Sequence, residues 1–290
     1  MKATLLAALL AASLATFGSA AQSATPDHPC HFSVAALQFR DVPETQAACL
    51  LRYVDKGGQI SSSPAELPAT LRKLIGISTG GLNAQLQRYV QAQGYTASDV
   101  GGDLTAGLSH ANGGDPAATM ARYFVIHDTS SPWLGDAPFP PNSNEALNAI
   151  QQYVGPNAVA HVFVNRKGET VLGHDFSEAW RATKFETKVI GQPAKGLFIH
   201  IELMQPRRRD PAGSPKNDLI APTPGFTTAQ YEKLALLYAA ASSRRGMWLI
   251  PAFHADLDQG QDDAHDDPQH FEMRSFVQAL DDLLARLKSD

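Results

Sequence analysis

His127, Glu202 and His254 each stand inside or just after a short apolar run, and Asp267 stands in a polar stretch ahead of an amphipathic segment. An ionisable side chain carried by an apolar strand must be paired, metal-bound or functional, because burying it alone costs several kcal/mol. Two imidazoles and one carboxylate would leave a fourth position open on a zinc ion, which is the pattern of a hydrolytic site rather than a structural one. Water at such a site has its pKa lowered toward neutrality. Glu202 is then the candidate base for that water and the proton donor to a leaving amine. The four residues do not form a compact motif, and each taken singly reads as readily as a hydrogen-bonded structural residue. The stretch from His254 to Asp267 also holds Asp256, Asp258, Asp262, Asp263 and Asp266, any of which has the chemistry to bind a cation.

The elements that must position these residues follow from residue patterning. Tyr123-Phe124-Val125-Ile126 is a β-prone run ending at His127, and Leu197 to Leu203 is a second apolar strand. Side chains alternate along a strand, so His200 and Glu202 share one face. Trp248 to Phe253 is a short strand running into His254. His161 to Val164 meets Glu169 to Leu172 across Asn165-Arg166-Lys167-Gly168, a hairpin signal. Asn144 to Val154 reads as a helix capped by Ser143, and Thr227-Thr228 as the start of a long helix through Ser243. Phe276, Leu280, Leu283 and Leu287 form one stripe of a last helix, about Phe271 to Leu287. Strands interleaved with helices, plus one hairpin, predict an α/β domain with a mixed central β-sheet flanked by helices.

Around that domain the 290-residue chain carries further signals. Met1-Lys2, the apolar run Ala3 to Phe17 and the small residues Gly18 to Ala21 read as a cleaved signal peptide over residues 1–21. The run is too short to span a bilayer comfortably, so the expectation is a periplasmic or secreted protein with no integral membrane segment after cleavage. Residues 22–117 read as a small N-terminal accessory region, with the glycine-rich stretch 101–116 as the candidate linker, and residues 118–290 as the catalytic domain. Export favours a disulfide between Cys30 and Cys49 over two separate thiols. A net charge of −5 argues against nucleic acid as the main partner. Arg207-Arg208-Arg209 is expected to face solvent.

Four segments in order resemble one family. Tyr123 to Ser130, Ala160 to Gly168, Ile199-His200-Ile201-Glu202-Leu203, and Phe253-His254 followed by Asp267-Pro268 are similar to segments of the type 2, zinc-dependent N-acetylmuramoyl-L-alanine amidases. Those enzymes share the peptidoglycan recognition protein fold. The resemblance covers roughly residues 120–288. It implies zinc held by His127, His254 and Asp267, with Glu202 as catalytic acid and base. The implied reaction cuts the amide between N-acetylmuramic acid and L-alanine in peptidoglycan or muropeptides.

Three departures accompany the match. His265 stands where the family usually has a lysine that stabilises the oxyanion, a task a protonated imidazole can share. His200 replaces a glycine, and is expected as a hydrogen-bonding partner behind the site more than as a fourth ligand. Trp180-Arg181-Ala182-Thr183 replaces Trp-His-Ala-Gly. Trp180 and His161 are the candidate substrate contacts, His161 having a hydrogen-bonding role behind the site as its alternative. Two other readings remain open on the sequence: a non-catalytic peptidoglycan-binding module, and a zinc amidase for another amide.

Overall fold

The computed structural model describes residues 28–154, 158–213 and 219–289; the signal peptide expected over residues 1–21 lies outside them. Nine strands occur among the described residues: β1 (Phe32–Ser33), β2 (Gln38–Phe39), β3 (Tyr123–Asp128), β4 (Val162–Val164), β5 (Thr170–Leu172), β6 (Phe198–Leu203), β7 (Arg208–Arg209), β8 (Leu219–Ile220) and β9 (Ile250–Phe253). Five of them form the central sheet, in the order β5-β4-β6-β3-β9. Its inner strands run parallel, and β5 returns antiparallel to β4 as the hairpin predicts. The sheet is therefore mixed and the fold α/β, as expected from the sequence. Every residue of β3 and β6 is buried, which explains why these strands read as unbroken apolar runs with single polar interruptions.

Helices close both sides. The Thr228–Arg245 helix starts at a capping box, in which Thr227 and Gln230 satisfy each other's backbone N–H groups, and ends at Gly246 in the left-handed conformation. It packs on the Met273–Ser289 helix, whose Phe276, Leu280, Leu283 and Leu287 are all buried. The helix expected over 144–154 is instead two single turns, Glu145–Asn148 and Gln151–Val154, and its cap is Asn144, which accepts from the Leu147 N–H, not Ser143. The arginine run also departs from expectation. Arg209 is exposed beside Asp136 and Arg208 lies over the Phe139 ring, but Arg207 is wholly buried, 2.7 Å from Asp128.

Residues 28–117 share one continuous core with the sheet: Phe32, Phe39, Leu50, Leu71 and Leu86 belong to the same buried cluster as Tyr123, Phe198 and Leu237. The Tyr123 hydroxyl accepts from the Phe39 N–H and donates to Gln46. The stretch 101–116 does not act as a linker. Arg244 donates to the carbonyls of Gly101, Ala106 and Gly107 and pairs with Asp175, pinning it to the long helix. Cys30 and Cys49 are joined in a disulfide across 19 residues, as favoured from the sequence.

Candidate metal centre

Parallel strands β3, β6 and β9 end on the same side of the sheet, the edge at which open α/β sheets place their sites. Register does the rest. His127 is directly opposite Glu202, and Ile126 is opposite Phe253, the residue before His254. His127, Glu202 and His254 therefore converge at one strand edge, and the loop after the His254–Leu257 turn brings Asp267 back to them.

His127 Nδ1 lies 2.8 Å from His254 Nδ1, and His254 Nδ1 lies 3.0 Å from Asp267 Oδ1. These three residues are buried, and one donor atom of each falls within 4.8 Å of the others. The outer nitrogens are engaged elsewhere: His254 Nε2 is 3.0 Å from Asp258 Oδ2, and His127 Nε2 is 3.0 Å from His200 Nδ1. With protons on both Nε2 atoms, two Nδ1 lone pairs and a carboxylate face one another, a grouping that calls for a cation. The surrounding carboxylates favour positive charge at this point, carried by a proton on His254 or by a metal ion in its place. Burial pulls the His254 pKa down, but Asp267 and Asp258 together outweigh it and raise it to about 10. Burial likewise pushes Asp267 up, yet His254 and His265 beside it hold it below the ordinary carboxylate range. Two nitrogens and one carboxylate oxygen, with room beside them, fit the donor set of a catalytic zinc site.

Glu202 stands next to this group, with Oε1 3.9 Å from His127 Nδ1. Its other oxygen, Oε2, is buried without a hydrogen-bond partner. Burial first, and then the charge of Asp267, push its pKa up to about 8. A carboxyl tuned near neutrality can both take and give a proton. It opens on a cleft of about 320 Å³, walled by Tyr153, Val159, Phe163 and Ala182 on the apolar side and by Thr129 to Ser131 on the polar side. His265 borders the same cleft, its Nδ1 2.8 Å from His254 Nε2. Burial and the neighbouring His254 lower its pKa, against the raising effect of Asp267 and Asp258.

The remaining sequence candidates sit behind this wall. His200 approaches His127 from the side opposite Nδ1, so it cannot share an ion with His254 and Asp267. His161 does not reach the cleft. It is fully buried, accepts from the His200 N–H through Nδ1, and places Nε2 3.2 Å from the Glu178 carbonyl. Trp180 stacks on His174 and donates to the carbonyl of Val159, standing one residue back from the cleft wall.

Three functional neighbours were not singled out from the sequence. Asp258 is four residues after His254, a spacing that places both on one helical face, but it looked like one more acid in an acidic loop. Glu186 is buried behind His200. Thr183-Lys184-Phe185-Glu186 carries the Thr-x-x-Glu capping signature, and Thr183 and Glu186 do bond reciprocally. Asp128 pairs with Arg207, and its backbone N–H donates to Asp267 Oδ2. No local pattern marks that contact.

Comparison with known proteins adds a family match. The Amidase_2 family model, described as N-acetylmuramoyl-L-alanine amidase, matches residues 117–270. A crystal structure of a selenomethionine derivative of AmpD is similar at 18% identity and a TM-score of 0.34, covering 56% of this chain and 86% of that one. The Ph2119 endolysin from the Thermus scotoductus bacteriophage Ph2119 is similar at 12% identity and a TM-score of 0.33, with the same coverage of 56% and 86%. No curated protein matches the chain.

Proposed function

The chain belongs to the N-acetylmuramoyl-L-alanine amidase family, and from that premise we propose that it is a zinc-dependent hydrolase of the amide between N-acetylmuramic acid and L-alanine in peptidoglycan or its muropeptides. The observation that carries the reading is Glu202: a buried, unpartnered carboxyl oxygen with a pKa near 8, beside two imidazoles and a carboxylate, at the head of a cleft. His127, His254 and Asp267 would hold the ion. Zinc supplies Lewis-acid chemistry, lowering the pKa of water and polarising a carbonyl. Glu202 takes the proton from the attacking water and delivers it to the amide nitrogen as the carbon–nitrogen bond breaks. His265 donates a hydrogen bond to the oxyanion that develops on the lactyl carbonyl. Tyr153, Val159 and Phe163 seat the apolar faces of the substrate and keep bulk water from the reacting amide. The pairing of a disulfide with an apolar leader supports action outside the cytoplasm. No helix among the described residues is long and apolar enough to cross a membrane.

Mass spectrometry of muropeptides incubated with purified protein tests this. Stem peptide should be released, chelator should stop the release, and Glu202→Gln should lower the rate by about 10²- to 10⁴-fold while still binding zinc. Bound zinc without release from any muropeptide would point to a different amide. Neither zinc nor release would favour a binding module.

A further inference from the structure

Behind the metal-facing residues, wholly out of solvent, lie three groups with no role in the reaction as written: His200, Glu186 and His161. We propose that His200 and Glu186 are positioning residues that set the tautomer and aim of His127, an inference that rests on the metal reading above. The contacts run in one line. His127 Nε2 is 3.0 Å from His200 Nδ1, and His200 Nε2 is 3.2 Å from Glu186 Oε2. The second contact is an ion-pair approach without hydrogen-bond geometry, since His200 Nε2 makes no hydrogen bond.

A carboxylate draws the His200 proton to Nε2, which leaves Nδ1 as an acceptor. His127 must then carry its proton on Nε2, and its Nδ1 lone pair is turned toward His254 and Asp267. The His200 ring is held for this task. It stacks on His161 at 16° with centroids 5.6 Å apart, and its own backbone N–H donates to His161 Nδ1. Glu186 is held by three donors on Oε2: the N–H groups of Ala182 and Thr183 and the Thr183 hydroxyl.

The partner imidazole shows the same logic in shorter form. His254 Nε2 meets the carboxylate of Asp258 directly at 3.0 Å. On the Nε2 side of His127 the carboxylate is one imidazole farther away: His200 stands between His127 and Glu186 and relays its effect. Burying an imidazole and a carboxylate together stabilises a fold little compared with apolar packing. Orienting a metal-binding imidazole is what such a pair does well.

The test is zinc affinity, measured by competition with a chromophoric chelator, on wild-type protein, His200→Phe, His200→Asn and Glu186→Gln. Thermal unfolding of each metal-free protein serves as the folding control. His200→Phe removes the acceptor and should weaken zinc binding by about 10- to 100-fold. His200→Asn returns an acceptor near the Nδ1 position and should recover most of that loss, which a purely structural role would not predict. Glu186→Gln should weaken binding in the same direction. Folded His200→Phe protein that binds zinc like wild type overturns the inference and leaves the metal reading intact. Wild-type protein that binds no zinc overturns both. Should His200→Phe fail to fold, nitrogen-15 NMR of wild-type protein decides: protons on Nε2 of both His127 and His200 support the inference, and a proton on Nδ1 of His200 overturns it.

Discussion

His127, His200 and Glu202 sit on β3 and β6, whereas His254, Asp258, His265 and Asp267 sit on one helical turn and the loop that follows it. The strand-borne residues are placed by a ladder: once Tyr123 pairs with Phe198, His127 must lie opposite Glu202. The loop-borne residues have no ladder and are placed by braces from distant parts of the chain. Arg52 reaches Asp256 at 2.8 Å and also donates to Gln259, while His28 bonds the Asp256 carbonyl. The Asp128 N–H donates to Asp267, its carboxylate accepts from the Gln269 N–H, and the His270 N–H donates to the Val54 carbonyl. Gly58, at φ +71°, lies so close that a Cβ would meet the Asp266 Cβ at 2.8 Å. Backbone pairing holds one half of the site; the Arg52–Asp256 ion pair, hydrogen bonds with His28, Val54 and Asp128 and the close approach of Gly58 hold the other. That gives residues 28–117 a physical task within the same core: clamping the loop that carries Asp267.

If the halves differ in this way, loosening the N-terminal region should disturb the loop and spare the strands. The largest effect is expected from Arg52→Met, which leaves Asp256 buried without its cation. Loss of one partner of a buried pair costs about 3–5 kcal/mol. Burial, opposed by Arg52, already raises the Asp256 pKa to about 7. The cost should therefore be larger at pH 8, where Asp256 must stay charged, than at pH 5, where it can take a proton. Urea unfolding at both pH values checks this, and Arg52→Met combined with Asp256→Asn should recover part of the loss. Equal costs at the two pH values would argue that lost packing, not charge, is responsible.

Reduction of the Cys30–Cys49 disulfide should come next. Opening a loop of this length costs about 3 kcal/mol through the entropy of the unfolded chain. Hydrogen exchange on reduced protein should rise at 254–270 well before it rises in β3 and β6. A uniform rise would show that the two halves open as one.

The smallest effect is a pH dependence. Burial lowers the His28 pKa to about 4, against the opposing hydrogen bond to the Asp256 carbonyl. Its stabilising contribution is complete above the unfolded pKa of about 6.5, where both states are neutral. As pH falls from about 6.5 to about 4 the unfolded chain takes up a proton that the folded one resists, so stability should drop by about 3 kcal/mol in that window and no further below it. Denaturation across pH 3–8 should show the slope in wild-type protein, and His28→Gln should flatten it.

The same division separates what could be read from the sequence. Strand alternation put His200 and Glu202 on one face, and apolar runs ending in His127 and His254 marked the strand edge, because local patterning alone dictates which way a strand residue points. The capping box at Thr227 and the stripe of the last helix are local in the same sense. Glu186 was legible in principle through its Thr-x-x-Glu signature, yet nothing in that signature says what lies beside the carboxylate. Arg207 looked like one of three surface arginines, and only the fold shows that its partner is Asp128, 79 residues away.

By itself, then, the order of residues marked the strands of the central sheet, the two long helices, the family and the side chains that could face a metal, since each of these follows from short-range period, capping and motif. Tertiary structure alone decided which acid in the 254–267 loop meets His254 from which side. It also decided that His161 lies behind the site and that the N-terminal region forms part of one core. Those outcomes depend on contacts between residues dozens to hundreds of positions apart, where the cost of burying a charge is offset only by a partner that folding brings to it.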